Sequence, residues 1–302
     1  MNDTTKTIQE TAMLFSLTIK QWSGKATDKQ AGRELAASKG AISDSASVRK
    51  TLVFADMIDD AKKLGAEARQ RFYALTLPWV DDGRRLGSAK AYQKIICEMS
   101  AFQSKFTALV AKIETAYPTM IDEARAALGD LFNEADYPAD VATKYGFEFR
   151  CEPIPSVDDI RVGLGEAERN KIKAQLKAQI EAAAVNAKRA IYDRAAVCVS
   201  RIADALPKFD PLKSGKDRGT FRDSIISNVA DLLDGLDGLN YDDDGEIVRL
   251  GEKLRALIAH TPEELREDKD TRKAVAATAN DILETMAGYC GVLSAPQTKD
   301  AA

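Results

Sequence analysis

The chain has 302 residues, 45% of them hydrophobic, 30% charged and only 7% aromatic, with a formal net charge of −4. Such a balance suits a soluble globular protein of one large or two modest domains, and scarce aromatics beside abundant alanine favour helix on helix over a sheet sandwich, so a mainly α fold is expected. A membrane-spanning helix is excluded, because no apolar run approaches the roughly 18 residues that span a bilayer, and the opening Met1-Asn-Asp-Thr-Thr-Lys lacks the charged-then-apolar order of a signal peptide, which makes a cytoplasmic protein the expectation.

In residues 12–23 the apolar positions Met13, Leu14, Phe15, Leu17, Ile19 and Trp22 only partly alternate, which leaves a short strand and an amphipathic lead-in segment both open. From 43 to 75 the apolar residues Val48, Leu52, Ala55, Ile58, Ala61, Leu64, Ala68, Phe72 and Leu75 recur at steps of three and four and predict one helix with one buried face. Pro78 should end it, because proline disfavours helical geometry in the residue before it. The block Leu77-Pro-Trp79-Val-Asp-Asp-Gly83-Arg84-Arg85 has no period.

Ser88 can then cap a long helix over 88–132, whose stripe runs Tyr92, Ile95, Met99, Phe102, Phe106, Leu109, Ile113, Ala116 and Met120. Pro118 inside it should kink or divide it near 116–117. Between 147 and 162, alternation in Phe147-Glu-Phe-Arg together with Pro153 and Pro155 predicts a small hairpin or strand pair, so at most three strands in all. The longest clean helix is expected over 166–206, on Ile172, Leu176, Ile180, Ala183, Ala187, Ile191, Cys198, Ile202 and Ala205; its alanines would allow close approach of a partner helix. Residues 207–219 form a polar connection and the expected domain boundary. Helices follow near 221–233, 245–259 and 262–289, the last opened by the capping signature Thr261-Pro262-x-Glu264. The expected architecture is therefore an elongated antiparallel helical hairpin or coiled-coil bundle with a small β element near 145–163, occupying 1–210, and an acidic helical region over 219–295.

Charge is segregated along the chain. Residues 161–218 hold 13 Lys and Arg against 7 Asp and Glu, whereas 219–302 hold 9 against 17. A basic helix followed by an acidic region points to charged partners or to mutual docking, in which the acidic part covers the cations.

Candidate sites follow from these segments. Lys173, Lys177, Lys188, Arg189 and Arg194 on the basic helix could neutralise phosphates, although helical spacing does not put them all on one face, and a solvated helix surface is the plainer reading. Arg84 and Arg85, beside the Pro-Trp turn, could grip a phosphate or stack on a base with Trp79 or Trp22, against the commoner role of such a Trp in packing. Asn240, Asp242 and Asp244, with Gly245 and Ile247, resemble the opening of a calcium-binding helix-loop-helix, but position 12 is Gly251 where a bidentate Glu is needed, so weak binding or an acidic turn is expected. Cys97, Cys151, Cys198 and Cys290 are far apart and have one histidine, His260, between them, so reduced cysteines, no metal site and no nucleophilic triad are expected. No phosphate-binding loop is spelled out either: the sequence points away from an enzyme, and implies no cofactor.

The order of several motifs carries a resemblance. Leu17-x-Ile19-x-x-Trp22-Ser-Gly24, Thr76-Leu-Pro-Trp79-x-Asp-x-Gly83-Arg-Arg85-Leu, Leu128-Gly-x-Leu-Phe132, Asp136-Tyr-Pro138 and Pro153-x-Pro155 followed by Asp159-Ile-Arg161-Val resemble, over roughly residues 14–205, a family of unassigned function found mainly in tailed-phage genomes, domain of unknown function 3150. Genes of that family often lie near those for AAA+ ATPases of the MoxR or cobaltochelatase type and von Willebrand factor A-like proteins. The resemblance implies a phage protein with an accessory role, working with a protein partner or with copies of itself; a nucleic-acid-binding accessory of phage DNA replication or recombination is the alternative.

Overall fold

A computed structural model describes residues 4–80, 83–156, 163, 165–213 and 215–290. Asp81 and Asp82 of the Pro-Trp block and the Asp159-Ile-Arg161-Val stretch lie outside the described residues. The chain is mainly helical with a small antiparallel sheet, and no described helix is long and apolar enough to cross a membrane. In chain order the elements are α1 (Thr4–Thr11), β1 (Ala12–Lys20), β2 (Lys25–Asp28), α2 (Lys29–Ser38), β3 (Val48–Thr51), α3 (Asp56–Leu75), β4 (Leu77–Pro78), β5 (Arg85–Ser88), α4 (Tyr92–Leu128), β6 (Gly146–Pro153), α5 (Glu166–Lys208), α6 (Ser224–Leu239), α7 (Gly245–Leu257), α8 (Pro262–Glu267) and α9 (Lys269–Cys290).

The chain divides into two compact units, each with a core of its own. The first comprises Met1–Phe15, Tyr73–Ile95 and Cys151–Ala302. Its centre is α5, which buries Ile180, Ala184, Ala187, Ile191, Ala195, Val199, Ile202 and Leu206 at helical spacing and packs most extensively on α9, then on α6. Alanine at these turns lets the neighbouring helices approach closely, so that Val275, Ala279, Ile282 and Met286 of α9 fill the groove. The strands β4, β5 and the start of β1 share this core, with Leu77 opposite Leu86, and Leu86 opposite Leu14. In the whole sheet the strand order is β4-β5-β1-β6.

The second unit comprises Ser16–Phe72 and Ile96–Arg150. Phe106, Ile113, Met120 and Ala124 of α4 meet Ile58, Ala61 and Ala68 of α3 and the rings of Tyr137 and Tyr145. Trp22 packs edge-on against Tyr117, with ring centroids 5.9 Å apart, so it is a packing residue rather than a stacking platform. A two-stranded sheet of β2 and β3 brings Lys50 inside, where its ammonium lies 3.2 Å from Asp28 and 2.6 Å from Asp136 and donates to the Leu131 carbonyl at 2.9 Å.

Several expectations are corrected. Of the two alternatives left open for 12–23, the strand forms, as β1 over Ala12–Lys20. The helix expected over 43–75 begins only at Asp56: Val48–Thr51 is β3, paired with β2, and the apparent period through Val48 and Leu52 is fortuitous. Pro118 does not divide α4, which runs unbroken for 37 residues. The hydrogen bond that proline removes, worth about 3 kcal/mol or more with its steric clash, is offset by the burial of Ile113, Tyr117 and Met120 on either side. Ser88 belongs to β5, though its hydroxyl still accepts from the Ala91 N–H at 3.0 Å just before α4. The aperiodic block supplies β4 and β5, so the described residues hold six strands where three at most were expected.

The stripes of α4 and α5, expected to pair as a hairpin, are buried in separate cores. Residues before and after the 207–219 connection, Leu206 and Phe221 among them, lie in one core, where the sequence suggested a boundary. The last predicted helix is two: α8 stops at Glu267, and the Asp268 carboxylate accepts the Asp270 N–H at 2.8 Å to restart the chain as α9.

Candidate functional site: a pair of buried arginines

The C-terminus of α3 leaves carbonyls without intrahelical partners, and two arginines from distant parts of the chain close on them. Arg194 of α5 donates from Nη1 to the Ala74 carbonyl at 3.2 Å and from Nη2 to the Thr76 carbonyl at 2.6 Å. Arg85 of β5 donates from Nε to the Thr76 hydroxyl at 2.7 Å and from Nη2 to the same Thr76 carbonyl at 3.0 Å. The β4–β5 register, which sets Arg85 opposite Pro78, puts it there. Its guanidinium carbon lies 4.5 Å from the ring centroid of Tyr73, a half-exposed side chain. Thr76 itself is fully buried.

Two like charges thus share one acceptor. Burial pushes the Arg85 guanidinium down from its ordinary value. Burial, and then the neighbouring Arg85 charge, push Arg194 down to about 10, which still leaves it charged at neutral pH. Among the described residues no carboxylate pairs with either arginine.

The acidic loop is assembled differently from the expected cation site. The helix before it, expected to end near 233, runs on through Gly235 and Gly238 to Leu239. The Asn240 side chain, fully buried, accepts the Asp244 N–H at 2.9 Å and donates to the Asp244 carbonyl at 3.1 Å, so it braces the loop instead of facing an ion. Asp244 caps α7 by accepting the Glu246 N–H at 2.9 Å. Between Asp242 and Asp244 sits the Lys188 ammonium, 2.6 and 2.9 Å away. The cation of this loop is a lysine of α5.

The remaining candidates are spread out. Lys173 is half-exposed, and Lys177 is exposed with Glu181 at 4.0 Å; Arg189 is exposed with Asp193 at 3.9 Å, and Arg84 is half-buried. Of the tentative nucleic-acid set, then, the structure joins Arg85 to Arg194 and ties Lys188 to the acidic loop. Cys97 is exposed rather than packed in a core, burial pushes the Cys151 and Cys198 thiols up, away from a reactive thiolate, and the side chain of Cys290 lies outside the described residues. His260 is 3.5 Å from Glu264 on the surface. A cleft of about 230 Å³ between α7 and α9 is floored by Leu250, Ile282 and Met286, but its rim charges are engaged, Arg249 with Glu246 and Lys253 with Thr285.

Thr76 and Tyr73 were missed as site residues, because both sit inside or beside a helical stripe and nothing local distinguishes them. Comparison of the chain with protein-family models, with curated proteins and with solved structures finds no match.

Proposed function

We propose that this chain is a non-enzymatic phage accessory protein of the host cytoplasm that works by binding protein, either an AAA+ ATPase or further copies of itself. The observation that carries this reading is the first third of α5: over residues 166–179 every side chain is exposed or half-buried, Ile172 and Leu176 included. Isolated helices of this length are marginal in water unless an apolar face is covered. A coiled-coil pairing with a partner helix would supply that cover and complete the stripe that begins at Ile172. Light scattering over a concentration series tests it. Association that Ile172→Asp abolishes is expected; a strictly monomeric chain that also fails to retain a cognate ATPase would end the proposal.

A second reading, a nucleic-acid-binding accessory of phage DNA replication or recombination, is favoured by the same arm. Arg169, Lys171 and Lys177 stand exposed on it, while Lys188, further along α5, is held by Asp242 and Asp244 of the acidic region. Retention on single- and double-stranded DNA that falls steeply with salt is the expected signature. Indifference of both DNA forms at low salt removes it.

A further inference from the structure

The Arg85 and Arg194 pair holds more donor capacity than its neighbours use. Each guanidinium spends two hydrogen bonds on the end of α3 and keeps further N–H groups. Both are half-buried, so part of their hydration is lost while a face of each still reaches solvent. A desolvated cation without a counter-charge is costly, and two side by side are more so. No described carboxylate answers either one.

We propose that this pair, flanked by the half-exposed Tyr73 ring, is a binding site for a phosphate group. The planar fork of a guanidinium matches phosphate oxygens two at a time, and a phosphate monoester near −2 balances two adjacent positive charges where a single carboxylate would balance one. The site is separate from the α5 arm and stands or falls independently of the readings above. The same chemistry is offered by free or terminal phosphate and by a nucleic-acid backbone.

Thermal unfolding of the full chain, followed at constant ionic strength with chloride as control anion, distinguishes these sources. One arm adds inorganic phosphate to about 10 mM; the other adds a short single-stranded oligonucleotide lacking terminal phosphates. A ligand that binds only the native state raises the midpoint. The rise is expected in the unaltered protein, with apparent affinity reduced about tenfold or more in Arg194→Gln and in Arg85→Lys, which keeps the charge but loses the fork. A rise with inorganic phosphate assigns the site to free or terminal phosphate, and a rise with the oligonucleotide alone, lost in the same variants, assigns it to backbone. If Arg194→Gln does not fold, the unaltered chain and Arg85→Lys still decide. No rise with either probe in the unaltered protein, or equal rises in protein and variants, overturns the proposal.

Discussion

Lys188 shows how far a single side chain can redefine the loop that faces it. Burial alone would pull its ammonium down, but the hydrogen bonds with Asp242 and Asp244 outweigh burial and raise it. For Asp244 burial pushes upward, and Lys188 together with the Glu246 N–H outweighs it, so the carboxyl titrates below the ordinary value of 3.8. A depressed native carboxylate contributes stability that is present above 3.8 and is lost as pH falls through its lowered value. An acid titration watched through Tyr241, which lies buried in the same loop, should show the first unit loosening below that pH. Lys188→Met should cost about 1–3 kcal/mol, between the values for exposed and buried pairs; no change in chemical denaturation would mean that the pair contributes nothing. Calcium should bind this loop only weakly, and calorimetry showing micromolar affinity would contradict that. Gly251→Glu would not repair the loop, because Gly251 is buried and a Cβ there already meets Leu236 at 3.1 Å. On the alkaline side, burial first of all raises the phenols of Tyr117, Tyr145 and Tyr241 to about 12 from 10.0. The unfolded chain then releases those protons first, so stability should fall with pH between these values, measured as a declining denaturation midpoint.

At the scale of elements, Phe106 lies under the middle of α4 at 2% exposure, against Tyr145 and Phe147. Phe106→Ala should therefore cost about 3–5 kcal/mol; a loss below about 1 kcal/mol in urea denaturation would place the ring outside the core. The stripes of α4 and α5 were legible because a helix repeats its own period over many turns, and the capping box at Thr261 because both its hydrogen bonds are local. The strands β3, β4 and β5 were not, since two to four residues are too few to display alternation. Lys50 illustrates the cost: it read as a polar position on a helix, and the pairing of β3 with β2 turns it inward between two carboxylates from opposite ends of the second unit's sequence. The arginine pair was hidden for a similar reason. Arg85, Arg194 and Thr76 belong to three segments, and no spacing along the chain links them.

For the molecule as a whole, composition correctly pointed to a mainly helical chain, while the division into units could not be read from linear charge. The unit boundaries cut through β1, α3, α4 and β6 instead of falling in a polar linker. A chain ending near Pro207 would lose α6, α7, α8 and α9, and with them the cover over Ile191, Val199 and Ile202 of α5. Such a truncation should give a molten first unit, seen as dye binding with helical circular dichroism retained; a sharp cooperative transition would show that α5 needs no C-terminal cover. The interleaving also sets an order of assembly on the ribosome. Every residue of the second unit has been synthesised once Arg150 is made, whereas Leu14, Leu77 and Leu86 of the first must wait for helices encoded downstream of it. During that interval the nascent chain carries an unfinished, sticky sheet, which makes translation speed through α5 to α9, and the attention of chaperones, a determinant of yield.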